Sequence, residues 1–277
     1  MAEKICWMRS SADSALVNKM TQLHYVDSHA HIMAEEFQDD FHQMLERNKE
    51  NGVDRILIIT LHYDETMRAI EFACKDPERY QVACAVFPED VKELTDAGWE
   101  QFVKTASLKE VSVLGEMGLD YYWEKDHGVR VLQREIFVRQ LELAKLLNKP
   151  IAVHARDAIQ DTFDIMKEHH HKGVLHCYSG TKEMAREFTK LGYYIALGGP
   201  VTFKNARHAV EVVQDIDPKF LLTETDCPYM APEPNRGKRN EPSYIPLILK
   251  KMAEVKGMSE EELSRIVYEN YRRFLHE

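Results

Sequence analysis

Val53-Asp-Arg-Ile-Leu-Ile-Ile-Thr60 is almost uninterrupted isoleucine and leucine after Arg55. A run this short and this continuously apolar is what a parallel strand covered on both faces requires. Similar β-branched runs recur at residues 25–27, 82–86, 111–115, 151–153, 173–175, 193–197 and 220–222. Amphipathic stretches separate them. Phe37, Phe41, Met44 and Leu45 mark one face of a helix whose other face carries Glu36, Asp40 and Glu46. Leu132, Ile136, Leu143 and Leu147 repeat the pattern, and Asn148-Lys149-Pro150 stops it. Ser259-x-x-Glu262 is a capping box, which opens a last helix burying Leu263, Ile266, Val267 and Phe274. Eight strand–helix units in about 250 residues predict an α/β fold, a single-domain (β/α)8 TIM barrel over residues 23–277. The alternative is an open doubly wound sheet, but no G-x-G-x-x-G follows any strand to support it.

Composition narrows the function classes. The 277 residues (32.3 kDa) are too many for a small stapled domain and few for two ordinary ones. With 44% apolar and 30% charged residues the chain has a globular composition, and no apolar run of about 18 residues is present to span a membrane. Residues 1–21 contain Glu3, Asp13 and several serines but no continuous apolar stretch, which excludes a secretory signal; the acidic residues weaken a mitochondrial one. Residues 1–22 are expected to be an N-terminal extension, disordered or a short helix under the barrel. Five cysteines, odd in number and without C-x-x-C spacing, argue against a disulfide framework and fit a reducing cytoplasm. Forty-six acidic against 36 basic residues give a net charge of −10, which excludes a basic nucleic-acid coat. Attraction to a polyanion would need a local patch or bound metal ions.

In a barrel of this kind reactive groups collect where strands end. The first such end reads Asp27-Ser28-His29-Ala30-His31, and residues i and i+2 of an extended chain face the same side. The fourth is followed by Glu116, the fifth ends in His154, the sixth in His176, and the eighth in Glu224-Thr225-Asp226. Four histidines with Glu116 and Asp226 suit a pair of divalent ions. Zinc, manganese or iron match such donors, while a site for magnesium alone would hold fewer histidines; zinc, manganese and magnesium stay open as candidates. A carboxylate can bridge two ions, and Glu116, near the middle of the set, is the candidate bridge. Cys177 and Cys227 adjoin two of these residues but alternate with them, so both are expected to pack against helices. His169-His170-His171 falls at a helix end, where cationic side chains favour the dipole, and reads as solvated surface.

Six segments, taken in order, carry a resemblance: Asp27-Ser-His-Ala-His31, Gly115-Glu-Met-Gly-Leu-Asp120, His154-Ala-Arg-Asp-Ala158, His176-Cys-Tyr-Ser-Gly180, Glu224-Thr-Asp-Cys-Pro-Tyr229 and Arg236-Gly-Lys-Arg-Asn-Glu-Pro242. Together they resemble the TatD family of metal-dependent deoxyribonucleases, over nearly the whole chain. The resemblance implies a TIM-barrel metal hydrolase of the amidohydrolase-like superfamily. It also implies metal-ligand roles for His29, His31, Glu116, His154, His176 and Asp226. One position departs from the pattern: Phe87, in Ala85-Val86-Phe87-Pro88, stands where the family usually has a site-lining histidine.

Asp226 is expected both to bind an ion and to act as general base on a metal-activated water, with Glu116 the second catalytic carboxylate. Arg156, Lys238 and Arg239 are expected phosphate contacts, with Arg236 in the same basic loop. The bland alternatives are a solvated loop at 236–239 and an Arg156–Asp157 structural pair. Asn240 and Glu241 either touch a terminal nucleotide or buttress that loop. Tyr121, Tyr122 and Trp123 either stack a base or pack the loop. The leading reading is DNA phosphodiester hydrolysis, with 3′-to-5′ action on single-stranded ends drawn from the resemblance alone. The competing readings are hydrolysis of an amide or ester, including an aminoacyl ester on tRNA, and a non-catalytic scaffold.

Overall fold

Eight strands hydrogen-bond in sequence order, all parallel: β1 (Tyr25–Ala30), β2 (Val53–Thr60), β3 (Tyr80–Cys84), β4 (Val111–Asp120), β5 (Ile151–Arg156), β6 (Gly173–Leu175), β7 (Tyr194–Leu197) and β8 (Leu221–Thr223). This computed structural model describes residues 23–277, so the expectation for residues 1–22 lies outside the described residues. An isolated parallel bridge between Ala30 and Cys227 brings the last strand round to the first. Thr223 Oγ1 donates to the Val26 carbonyl at 2.7 Å and His31 N to the Cys227 carbonyl at 3.0 Å, so the sheet closes into a single-domain (β/α)8 barrel.

The helices of the described residues are α1 (Phe41–Glu50), α2 (Tyr63–Ala73), α3 (Asp96–Ala106), α4 (His127–Leu147), α5 (Ile159–Glu168), α6 (Lys182–Lys190), α7 (Arg207–Asp215), α8 (Ile245–Lys256) and α9 (Glu260–Phe274). They cover the outer faces of the strands, which is why Ile56, Leu57, Ile58 and Ile59 of β2 are all fully buried. The Asp126 carboxylate caps α4 by accepting from Val129 N at 3.0 Å, and Asn148 ends it in the left-handed region two residues before Pro150. Ser259 Oγ caps α9, accepting from Glu262 N at 3.1 Å; Leu263, Val267 and Phe274 are buried and Ile266 half-buried.

Two expectations are corrected. Phe37 does not belong to the first helix: it closes a short 3-10 turn, Glu35–Phe37, and α1 starts only at Phe41. Asp40, at the break, has φ −132° and makes no cap bond; its carboxylate is taken by Arg47 and Arg239. Strands β1 and β4 also run past the polar residues expected to follow them, and β5 runs two residues past His154, expected to be its last. His29, Glu116 and His154 lie inside the strands, the first two at breaks in the register, with Gly118 paired to His154 and Asp120 to Arg156. Gly118, at φ +143°, makes that approach possible, because a Cβ there would run into the His154 carbonyl oxygen.

No helix among the described residues is long and apolar enough to cross a membrane. Cys74, Cys84, Cys177 and Cys227 are all free thiols. Removing the α9 cap with Ser259→Ala should lower stability by about 1 kcal/mol. A urea midpoint shift with unchanged hydrolytic activity is the expected result.

Candidate metal centre

The polar residues buried at the C-terminal strand ends converge on one carboxylate. Glu116, 4% exposed, projects from β4 between four imidazoles. Its Oε1 lies 2.6 Å from His154 Nδ1 and 2.9 Å from His176 Nε2. Its Oε2 lies 3.3 Å from His29 Nε2 and 3.8 Å from His31 Nε2. Asp226 Oδ1 completes the second side, 3.6 Å from His31 Nε2 and 3.8 Å from His29 Nε2. Asp226 follows β8 in the left-handed region at φ 55°, tied by its N–H to the His29 carbonyl at 2.9 Å. All six residues picked from strand ends are therefore brought together.

Electrostatics keep the two carboxylates ionised. Burial pushes Glu116 up, but the charge of His176 and the imidazoles of His154, His176 and His29 gathered around it hold it well below the usual range. Burial likewise opposes ionisation of Asp226; His31, His176 and His29 together hold its pKa below normal. His29 is driven down by burial and by His176, whose ring stacks on it at 3.7 Å, so it presents a neutral imidazole.

The donor set fits divalent ions. Ligand atoms of His29, His31 and Asp226 lie within 4.8 Å of one another, as do those of Glu116, His154 and His176, and those of His29, His176 and Glu224. Both ring nitrogens of fully buried His29 lack a hydrogen-bond partner, and so do His176 Nδ1 and Glu224 Oε2. Buried polar atoms are almost always partnered, and a cation would satisfy these.

Asp120 and Glu224 are supporting residues that the sequence reading quoted but left without a role. Asp120 Oδ2 accepts from His154 Nε2 at 2.9 Å, which leaves Nδ1 to face Glu116. Glu224, fully buried, accepts from Cys177 N and lies 3.7 Å from His176 Nδ1. The spacing that pairs His29 with His31 also pairs Glu224 with Asp226, and that was the signal available. Fully buried Asp27 accepts from the backbone N and the hydroxyl of Thr225, bracing β1 against the chain after β8.

The remaining candidates separate. Arg156 is exposed at the mouth and makes no pair with Asp157; Lys238 is exposed. Arg236 lies over the Phe203 ring at 4.2 Å. Arg239, Asn240 and Glu241, the other expected substrate contacts, are bonded within the protein, as the buttressing alternative for Asn240 and Glu241 requires. Arg239 binds both Asp40 oxygens at 2.6 and 2.8 Å and the Glu36 carbonyl at 2.6 Å. Glu241 accepts from Arg47 at 2.8 and 2.7 Å, and fully buried Asn240 donates to the Thr225 and Tyr229 carbonyls. These three buttress the loop. Tyr121 packs, its hydroxyl donating to Asp161 at 2.7 Å, while Tyr122 and Trp123 stay exposed.

Cys227 is buried in the core, whereas Cys177 is half-buried beside the carboxylates of the centre. Its left-handed backbone, φ 44°, breaks the alternation; burial and the charges of Asp226, Glu224 and Glu116 push its thiol well up. The three consecutive histidines form no cluster: His169 pairs with Glu142, His170 with the Leu191 carbonyl and His171 with the Lys149 carbonyl. Phe87 meets the His154 ring edge to face at 5.4 Å.

Such a barrel, with histidines and carboxylates gathered at its C-terminal strand ends, defines a metal-dependent hydrolase. The model of the family described as TatD related DNase matches residues 26–276, and the chain belongs to the TatD family. It is 40% identical over 250 residues to the uncharacterized metal-dependent hydrolase YabD of Bacillus subtilis (strain 168), covering 89% of this chain and 97% of YabD. It is 38% identical over 197 residues to the uncharacterized metal-dependent hydrolase YcfH of Escherichia coli (strain K12), covering 70% and 73%. Among solved structures, YjjV, a TatD homolog from Escherichia coli K12, shares the fold with a TM-score of 0.84 at 24% identity, covering 91% of this chain and 98% of YjjV.

Loss of the bond that fixes His154 should weaken the centre. Asp120→Ala is expected to lower metal affinity or turnover 10–100-fold. Metal content after dialysis against buffered zinc or manganese checks it.

Proposed function

We propose that this chain is a deoxyribonuclease that hydrolyses DNA phosphodiester bonds at unpaired strand ends, using two divalent ions. The observation that carries the proposal is the division of Glu116, whose two oxygens face different histidine pairs, as a carboxylate shared by two cations would. His29, His31 and Asp226 would hold one ion, His154 and His176 the other, with Glu116 between them. Bound there, divalent ions supply Lewis acidity for non-bridging phosphate oxygens and lower the pKa of a water to about 7.

The protein's own groups do the rest. Asp226 is ionised, partly solvent-exposed and fixed at one end by the His29 carbonyl, so an Oδ atom can take the proton of the attacking water. It returns that proton to the leaving oxygen. Glu116 stays ionised and holds the histidine pairs apart. Arg156, two residues beyond His154, offers its guanidinium to a phosphate, and Lys238 offers a second cation at the rim.

A second reading, hydrolysis of an ester or amide such as an aminoacyl ester on tRNA, is favoured by one feature: Phe87 puts an apolar ring against His154, which suits a less charged substrate. A non-catalytic scaffold would not need the full donor set that is present here.

The deciding experiment uses metal-stripped protein, a 3′-labelled single-stranded oligonucleotide, and magnesium, manganese or zinc restored one at a time. Shortening from the 3′ end that requires metal is expected. Asp226→Asn should reduce it by at least about 100-fold with the circular dichroism spectrum unchanged. Protein that binds metal yet leaves DNA intact would refute the nuclease reading in favour of the ester or amide one. Lys238→Glu should raise KM for DNA and reduce the slope of log affinity against log salt by about 1; an identical slope removes Lys238 from the phosphate path.

A further inference from the structure

Trp123 is 60% exposed and Tyr122 43%, on the loop directly after β4, beside the metal centre. Their rings meet edge to face, with centroids 4.8 Å apart and planes at 83°. The Arg156 guanidinium lies over both, 4.0 Å from the Tyr122 centroid and 5.6 Å from that of Trp123. No carboxylate among the described residues pairs with Arg156, so the rings orient its plane while its N–H donors stay open.

The group is held in register with the centre. Asp120 Oδ1 accepts from the backbone N–H groups of Tyr122 and Trp123, both at 2.9 Å, while its Oδ2 binds His154 Nε2 at 2.9 Å. One buried carboxylate therefore fixes both the aromatic loop and a metal-facing histidine. Arg156 sits opposite Asp120 in the β4–β5 pairing, which places its cation on the same shelf. The neighbouring Tyr121 shows the contrast: its hydroxyl is bonded to Asp161 and its face is covered by Arg130 at 4.5 Å. The loop commits one aromatic to packing and leaves two uncovered.

We infer that Tyr122, Trp123 and Arg156 form a seat for one unpaired nucleobase next to the bond being cleaved. The base stacks on the open face of Trp123, and Arg156 donates to the phosphate attached to that nucleotide. The inference rests on the nucleic-acid reading above and adds the residues that grip the base. A planar apolar face, a cation beside it and a carboxylate that ties the loop backbone to a metal-facing histidine match a nucleotide, which carries a ring and an anion next to the bond to be cleaved. Every base has a π-face, so the seat is tolerant of sequence. A base held in a duplex has its faces occupied by its neighbours and cannot enter.

The test compares the wild type, Trp123→Ala and Trp123→Phe, with metal restored, on two single-stranded oligonucleotides. They are identical except that one carries tetrahydrofuran abasic sites at its two terminal nucleotides. Trp123→Ala should raise KM about tenfold, with the change confined to the oligonucleotide that carries bases, and Trp123→Phe should recover most of the loss. An equal change on both substrates, or none on either, overturns the inference while leaving the nuclease reading standing. Tryptophan fluorescence gives a readout that does not need turnover. Quenching by the base-bearing strand and not by the abasic one, lost in Trp123→Phe, is the expected pattern. If the wild type cleaves neither strand, the nuclease reading fails and this titration alone decides the seat: selective quenching upholds it, and its absence sinks it.

Discussion

A buried carboxylate with no counter-charge is among the costliest things a protein interior can hold. Glu116 would be such a group on its own, and the architecture around it supplies the counter-charge. Imidazoles reach it from β1, β5 and β6, so three strand ends besides its own must arrive at one level with the side chains turned inward. The barrel's closed parallel register delivers that convergence. A shift of one residue in any strand would turn its ligand to the outer face. Behind the histidines a second layer fixes their orientation: Asp120 on His154, Glu224 beside His176, and Asp27 tying β1 to the chain after β8. These carboxyl groups are themselves buried, so the network stands only when all of it is assembled.

The barrel was legible because its strands are covered on both faces and read as continuous apolar runs, with β2 the clearest. Their ends were less so. Polarity marks a strand end only when polar residues leave the sheet, and here His29, Glu116 and His154 remain within their strands while facing the mouth. The same inward-facing polar residues gave the centre away, since their order along the chain and the two-residue step from His29 to His31 needed no contact map. Phe37 was misplaced for a different reason. A helical period continues through a single break, and the break at Asp40 depends on ion pairs with Arg47 and Arg239 that local pattern does not encode.

Long-range pairing also explains the loop at 236–239. Spacing makes Arg236, Lys238 and Arg239 equivalent cations, yet they end in three environments: an aromatic face, solvent, and a carboxylate 199 positions away. The partner of Arg239 belongs to the N-terminus of α1, so only the closed barrel brings the two together. Cys177 differs in kind. Its facing follows from one left-handed residue, a backbone state that the residue type does not announce outside glycine, asparagine and aspartate.

The distribution of charge bears on how an acidic chain would engage a polyanion. At a net charge of −10 the surface as a whole repels nucleic acid, and attraction at physiological salt reaches only about 8 Å from any charge. Many of the basic side chains are already matched, as Arg186 is by Asp215 and Arg207 by Glu211. The unmatched cations at the mouth, Arg156 and Lys238, account for few phosphate contacts. On the proposed reading the electrostatic part of affinity is therefore small and local, and the cations bound at the centre carry much of it. What remains must come from contacts insensitive to salt, and exposed Trp123, Tyr122 and Tyr229 at the rim are the groups able to make them. On that same reading the enzyme would have little hold on a duplex backbone and would gain its grip where a base is free to leave the stack.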